Sequence, residues 1–348
     1  MLQRYNVPFT YIVNSHVTDT VFRKGFLNFI KAANAVKFST DIRIGQVASR
    51  PQGFYSVIAN EGELLERFGI ETVPFNLGTV IRLAQNAIKD NPETVRKVAA
   101  EITEKADCSK LSEEVTDKLA ALKLVLSNIY DEYHLQALSF QCWDELQIQW
   151  GVCSCYVQAL LSDEGIPVAC EADIHGAVSS LMLQAASMFE GSTFFADLTI
   201  RHPENDNAEL LWHCGVFPPS LCAADNHPLI GNHFILPSNA PGVCNWKLRS
   251  GDITVIRFDG VHGKYSLLCG EGKTVEGPYN QGTYVYLEVD DWPLWEEKII
   301  YGPYIHHISC ICGKYAPVIY EASRYMNGIT FDPVQPTEEE IRKYLRSN

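Results

Sequence analysis

Long apolar runs, a basic surplus, internal repeats and low-complexity tracts are all lacking from this 348-residue chain. No stretch approaches the roughly 18 uninterrupted apolar residues of a membrane-spanning helix. Residues 1–15 lack the basic start, apolar centre and small-residue cleavage site of a signal peptide. No membrane association is therefore expected, and the expected compartment is the cytoplasm. Lys and Arg number 28 against 42 Asp and Glu, so the net charge is −14 and the long-range field repels nucleic acid and anionic membrane. A neutral or cationic small ligand suits that field better. The eleven cysteines cannot all pair, and Cys142, Cys170, Cys214 and Cys269 sit inside apolar runs, where a reduced thiol behaves as a small hydrophobe. Cys153/Cys155 and Cys310/Cys312 are spaced too closely for the zinc knuckle, so buried free thiols are expected.

What is present is the composition of a folded protein, 46% apolar and 20% charged, long enough for two or three packed units. Residues 22–35 have helical apolar spacing, and residues 42–47 read as a short strand. Asn60 can cap a helix whose first turn is acidic and which Gly69 closes; residues 71–77 return as a strand. A strand, helix, strand unit of this kind signals an open parallel sheet. Residues 85–135 read as helical throughout, with Leu119, Leu122, Leu124 and Leu126 among the apolar positions. From residue 137 short apolar strands alternate with glycines and densely set His, Cys, Asp and Glu. The strand at 167–170 runs into Glu171-Ala172-Asp173-Ile174-His175-Gly176 and then a helix over 177–188, a junction where α/β proteins place ligand groups. Residues 194–198 and 210–215 repeat the strand pattern, so three strand ends are expected on one rim. Residues 250–290 alternate as an antiparallel β unit or small barrel, and 338–345 form an amphipathic helix. The expected class is α/β, with parallel-sheet Rossmann-like domains followed by a mostly antiparallel β C-terminal unit. The expected divisions are 1–135, 136–240 and 241–348.

Several residues could carry chemistry. Glu171 and Asp173 can face one ligand only if the backbone turns between them, which Gly176 makes feasible. Two carboxylates with a histidine suit manganese or magnesium with open positions for a polyol; alternatively Asp173 simply caps the following helix. His306 and His307 are adjacent, and on a strand only one of them can face a given site. Each could instead be a satisfied core histidine. Trp143, Asp144 and Glu145 could line a sugar pocket or lie on a helix surface. Asp197 and His213 end their strands and could bind substrate or merely hold a loop, His175 orients Asp173 or the loop after it, and Glu271 sits between two glycines of a probable turn. Trp212 and Phe217 are stacking candidates that also suit a core.

The segments Cys142-Trp143-Asp144-Glu145-Leu146-Gln147 and Gly165 through Val178 resemble the L-fucose isomerase and L-arabinose isomerase superfamily, in its fucose isomerase-like branch. The resemblance continues through Phe195-Ala196-Asp197, Trp212-His213-Cys214-Gly215, Gly251 through Val255, Gly270-Glu271-Gly272, and His306-His307 with Gly313. It implies a metal-dependent aldose–ketose isomerase that moves a proton between C1 and C2 through a cis-enediolate, with Mn2+ or another divalent cation as cofactor and a monosaccharide as substrate. By that resemblance the metal is held by Asp173, His307 and a glutamate. The position expected for the glutamate falls at 151–156, which has no acid, so Glu171 is favoured for metal contact and Glu145 as a pocket acid. Asp173, Glu171 and Glu145 are the implied catalytic groups, and Trp143, His213, Asp197 and Glu271 the implied substrate contacts. The family also implies a homo-oligomer, trimeric or hexameric, in which an N-terminal domain closes a neighbour's pocket. The resemblance here starts at what looks like the second domain, so a separate subunit carrying that first domain is an expected partner. On the same fold, a non-catalytic sugar-binding or regulatory subunit and a related lyase or epimerase are the competing functions.

Overall fold

The computed structural model describes residues 1–347. Helix α1 (Thr20–Lys37) precedes strand β1 (Arg43–Val47), helix α2 (Glu61–Phe68) and strand β2 (Glu71–Phe75). Three helices follow, α3 (Leu77–Asp90), α4 (Pro92–Lys105) and α5 (Glu113–Glu132). Strand β3 (Ala137–Phe140), helices α6 (Glu145–Trp150) and α7 (Cys155–Asp163), strand β4 (Val168–Cys170) and helix α8 (Ile174–Ala186) complete the first half. β1 to β4 form a parallel sheet in the order β2-β1-β3-β4. The α2 ends are those read from the sequence: the Asn60 side chain accepts from the Glu63 N–H, and Gly69 turns at φ 66°. The region expected to be one helical stretch is broken twice, because Pro92 lacks the N–H needed to continue α3 and Ser112 starts a new helix by accepting from Val115.

The remaining strands are β5 (Thr193–His202), β6 (Asn205–His213), β7 (Leu229–Asn232), β8 (Pro241–Lys247), β9 (Asp252–Val261), β10 (Lys264–Val275), β11 (Thr283–Glu288), β12 (His307–Cys312) and β13 (Ile329–Pro333). Helices α9 (Trp292–Tyr301), α10 (Ala316–Ser323) and α11 (Glu338–Arg346) lie among them. These strands make a nine-stranded, mostly antiparallel sheet in the order β13-β10-β9-β12-β5-β6-β11-β8-β7. Both expected divisions cut across a sheet. β1 pairs with β3 across residue 135, and β6 pairs with β11 across residue 240. Backbone pairing between distant segments overrides the change in composition that suggested those boundaries.

Helix α8, mostly apolar but with His175, Ser179, Ser180 and Gln184 in it, is buried along its whole length between the two sheets. Its position brings the C-terminal end of β4 onto the face of β12 and β9. All eleven cysteines are unpaired and eight are buried, with Cys155 Sγ 3.7 Å from Cys214 Sγ.

One buried carboxylate outside this region gives a stability prediction. Glu209 on β6 has an oxygen with no hydrogen-bond partner, and burial, reinforced by the charge of Glu296, pushes its carboxyl up to about 7 from 4.5. Between those values the folded state binds the proton more tightly, so stability falls as pH rises from about 4.5 to 7. Glu209→Gln should remove this loss. Thermal melts at pH 5 and pH 8 should show a variant that gains on the wild type at the higher pH; parallel shifts of the two proteins would refute the account.

Candidate active site and its metal-ligand geometry

The site begins where β4 ends. Glu171 and Ala172 take φ of 54° and 58°, two consecutive left-handed residues without glycine's freedom. This costly turn supplies the reversal that the spacing of Glu171 and Asp173 demanded. Asp173 then caps α8, its Oδ1 accepting the Gly176 N–H at 2.9 Å. The helix therefore starts at Ile174, three residues earlier than expected.

Across from this turn, the antiparallel register of β12 on β5 sets His307 directly opposite Asp197. Side chains directly opposite share one face of a sheet, so the two are neighbours by construction. Asp197 lies inside β5 rather than at its end, because β5 runs on to His202 before turning into β6. His306 precedes the strand, so alternation does not send it to the opposite face. Its ring lies 4.3 Å from that of His307, and its Nε2 is 3.9 Å from Asp197 Oδ1. Both histidines thus reach one centre. Asp197, His306 and His307 can offer one ligand atom each, all within 4.8 Å of one another.

The protons of the two buried histidines can be placed. His307 Nδ1 lies 3.0 Å from Asp173 Oδ2, so Nδ1–H donates to the carboxylate and Nε2 is the nitrogen that faces the site. That Nε2 points between Glu171 Oε2 at 3.4 Å and Asp197 Oδ1 at 3.5 Å. His213 is the reverse case: its Nδ1 accepts the Cys214 N–H at 2.9 Å, which leaves Nε2–H facing Glu171 Oε2 at 3.5 Å. Trp143 donates its indole N–H to Glu171 Oε1 at 3.3 Å.

Burial alone would raise the Glu171 carboxyl, but His213, His307 and the Trp143 indole together hold it down at about 2. Asp173 is also buried, yet the Arg257 guanidinium and His307 keep it far below the usual carboxylate range. Burial works to lower His307, and the hydrogen bond to Asp173 with the charges of Asp197 and Glu171 raises it instead.

The donor set fits a divalent ion. Among the described residues, Asp197 Oδ1 is a buried oxygen with no hydrogen-bond partner that lies 3.5 Å from His307 Nε2 and 3.9 Å from His306 Nε2, and Glu171 Oε2, likewise partnerless, faces the same His307 nitrogen at 3.4 Å. Two donors each about 2.1 Å from one ion stand about 3.0 Å apart in an octahedral arrangement and about 3.4 Å apart in a tetrahedral one, near the separations found here. A carboxylate behind a ligating histidine is the usual outer partner in such sites, and Asp173 occupies that place behind His307. The expectation that Asp173 ligates directly is therefore altered. Its oxygens are taken by Gly176, His307 and both Nη atoms of Arg257. A second possible ligand group, Cys142, Cys170 and Glu171, lies next to the first, with Glu171 Oε2 3.4 Å from His307 Nε2.

The structure thus brings together Glu171, Asp173, Asp197, His213, His307 and Trp143. Two expected contacts lie elsewhere. Glu145 is the exposed first residue of α6 and accepts from Gln149 at 2.7 Å, because the chain turns its side chain outward there. Glu271 accepts the Ala316 N–H at 2.7 Å and so serves the start of α10. His175 bonds Asp259 at 2.9 Å rather than Asp173.

Two participants were not read from the sequence. Arg257, fully buried, bridges Asp173 and Asp259. Its one signal is a lone cation within the apolar strand pattern of 253–258. Phe54 leaves no signal; its half-buried ring lies 5.5 Å from His307, 5.6 Å from His306 and 6.2 Å from Trp143, roofing the cluster.

No protein-family model matches the chain. Sulfoquinovose isomerase of Priestia aryabhattai is 23% identical over 337 residues, covering 94% of this chain and 72% of that protein. The sulfoquinovose isomerase of Alkalicoccus urumqiensis is 27% identical over 253 residues, covering 72% of this chain and 55% of its own. That of Clostridium sp. (strain MSTE9) is 28% identical over 229 residues, or 65% of this chain and 49% of its own. The matches to these last two thus span about half of each relative's length.

Proposed function

We propose that this chain is a metal-dependent aldose–ketose isomerase of the fucose isomerase-like kind, acting on a sulfonated aldohexose such as sulfoquinovose. The observation that carries the reading is the convergence of two partnerless buried oxygens, Glu171 Oε2 and Asp197 Oδ1, on His307 Nε2. The names of the relatives support the substrate class. Asp197, His306 and His307 hold a divalent cation, manganese in this reading; when bound, it supplies Lewis-acid polarisation of the sugar carbonyl.

The chain's own groups do the rest. Glu171, ionised at neutral pH, accepts the C2 proton at Oε2 and returns it to C1, while the O2 hydroxyl proton passes to O1, so that the sugar goes through a cis-enediolate and emerges as the ketose. The Trp143 indole N–H holds Oε1 of that carboxylate, and His213 Nε2 lies 3.5 Å from Oε2 as a nearby polar neighbour. Asp173 fixes the His307 tautomer, and Phe54 with Trp143 keeps water from the reacting carbons.

The test is proton exchange at C2 of sulfoquinovose followed by NMR in deuterated water. Deuterium should enter the recovered aldose and ketose should accumulate, both should stop with a chelator, and both should return with Mn2+. A metal-loaded protein that binds the sugar yet exchanges no C2 proton would replace this reading with that of a sugar-binding protein.

A further inference from the structure

We infer that the cleft beside Phe54, built around Arg50, is the subsite for the anionic end of the substrate, and that Arg50 selects a sulfonated sugar over a neutral one. This deepens the isomerase reading and rests on it. The loop between β1 and α2 carries Arg50 to the C-terminal edge of the parallel sheet. Arg50 is half-buried; Nη1 donates to the Phe54 carbonyl at 3.5 Å, and the guanidinium lies over the Tyr55 ring at 5.3 Å. Like the half-buried Lys24 and Lys31, it has no carboxylate partner among the described residues; unlike them it lines a cleft.

The cleft at this point has a volume of about 470 Å³ and is lined by Ser49, Arg50, Gln52, Gly53, Tyr55 and Gln141. Every side chain longer than glycine there can donate a hydrogen bond, and none is acidic. In a chain of net charge −14 that composition is a local reversal, which the whole-chain count could not reveal. A sulfonate presents three oxygens in a fixed geometry, and a guanidinium fork flanked by neutral donors matches it.

The placement fits one sugar. Gln141 stands two residues before Trp143, whose indole reaches Glu171, and the Phe54 ring whose carbonyl holds Arg50 packs on His306 and His307. A hexose with C1 and C2 at the histidine cluster directs its far carbon to the neighbouring cleft. A neutral sugar would leave the Arg50 cation without its counter-charge, and that is the basis of selection.

The test compares wild type with Arg50→Gln and Arg50→Lys on sulfoquinovose, glucose 6-phosphate and glucose. The preference of the wild type for sulfoquinovose over glucose, as a ratio of kcat/KM, should fall about 10- to 100-fold in Arg50→Gln, chiefly through KM, and recover partly in Arg50→Lys. An unchanged ratio overturns the subsite, and a wild-type preference for the phosphate overturns the sulfonate assignment. Binding of methyl α-sulfoquinovoside, which cannot isomerise, is measured alongside by calorimetry. Tight binding that Arg50→Gln weakens supports the subsite even if no sugar turns over, a result that would count against the isomerase reading alone. Binding no tighter than that of methyl α-glucoside overturns the subsite whatever the turnover.

Discussion

Under the proposed mechanism, Glu171→Gln is expected to lower kcat by about 10²- to 10⁴-fold without loss of the proposed divalent ion. The amide has nearly the shape of the carboxylate and can keep a contact to the Trp143 indole, but it cannot take up a proton from carbon. Asp197, His306 and His307 are untouched by the change, so metal content measured on dialysed protein should stay at the wild-type level. His307→Ala should behave oppositely. It removes the ring that stands between Glu171 and Asp197, and metal content and turnover should fall together. A Glu171→Gln protein that retains turnover within tenfold of wild type would assign the proton transfer to another group. Equal metal loss in both variants would make Glu171 a ligand instead.

Arg257→Met is expected to destabilise the fold by about 3–5 kcal/mol, the cost of leaving a buried charge pair without one member. Arg257 is wholly buried on β9. Its Nε lies 2.9 Å from Asp259, and its Nη2 lies 2.7 Å from Asp259 and 3.3 Å from Asp173. Removing it strands two carboxylates in the interior. Arg257→Lys keeps a charge but loses the fork that serves both acids, and should recover only part of the loss. Chemical denaturation at neutral pH measures both variants, and a loss below about 1 kcal/mol for the methionine variant would contradict the reading of Arg257 as the counter-charge of this cluster. The acid side of the stability profile should change as well. Because Asp173 is held far below its usual 3.8, its contribution is complete above that pH and is lost as pH falls further. Without the guanidinium that contribution shrinks, so the wild type should hold more of its advantage at pH 6 than at pH 3.

The local chain signals were legible where one short segment decides the outcome. Asn60 and Gly69 bound α2 as their chemistry requires, and the acidic residues after β4 do mark a buried polar centre. What the sequence could not display was pairing between distant segments. His307 meets Asp197 through the register of β12 on β5, 110 positions apart in numbering, and no local pattern encodes that registration. The role of Asp173 was ambiguous for the same reason. Capping and ligation call for the same residue at the same place, and only Arg257 and His307, brought in from β9 and β12, decide which oxygens are free. Glu145 reads in the sequence as a pocket acid and Glu271 as a substrate contact, yet the backbone turns them toward a helix surface and a helix start.

The acid and histidine that face each other across β5 and β12 belong to a hydrogen-bonded ladder, whereas Arg50 and Phe54 belong to a loop with no strand of its own. Inserting or deleting one residue in β12 would shift the register and turn His307 to the opposite face, so chain length there is locked to the chemistry. The segment between β1 and α2 carries no such lock, since its length can change without moving any ladder. On the proposed reading, remodelling this stretch alone would exchange one sugar for another while the proposed proton-transfer centre stayed intact, so that substrate range and reaction type would vary separately.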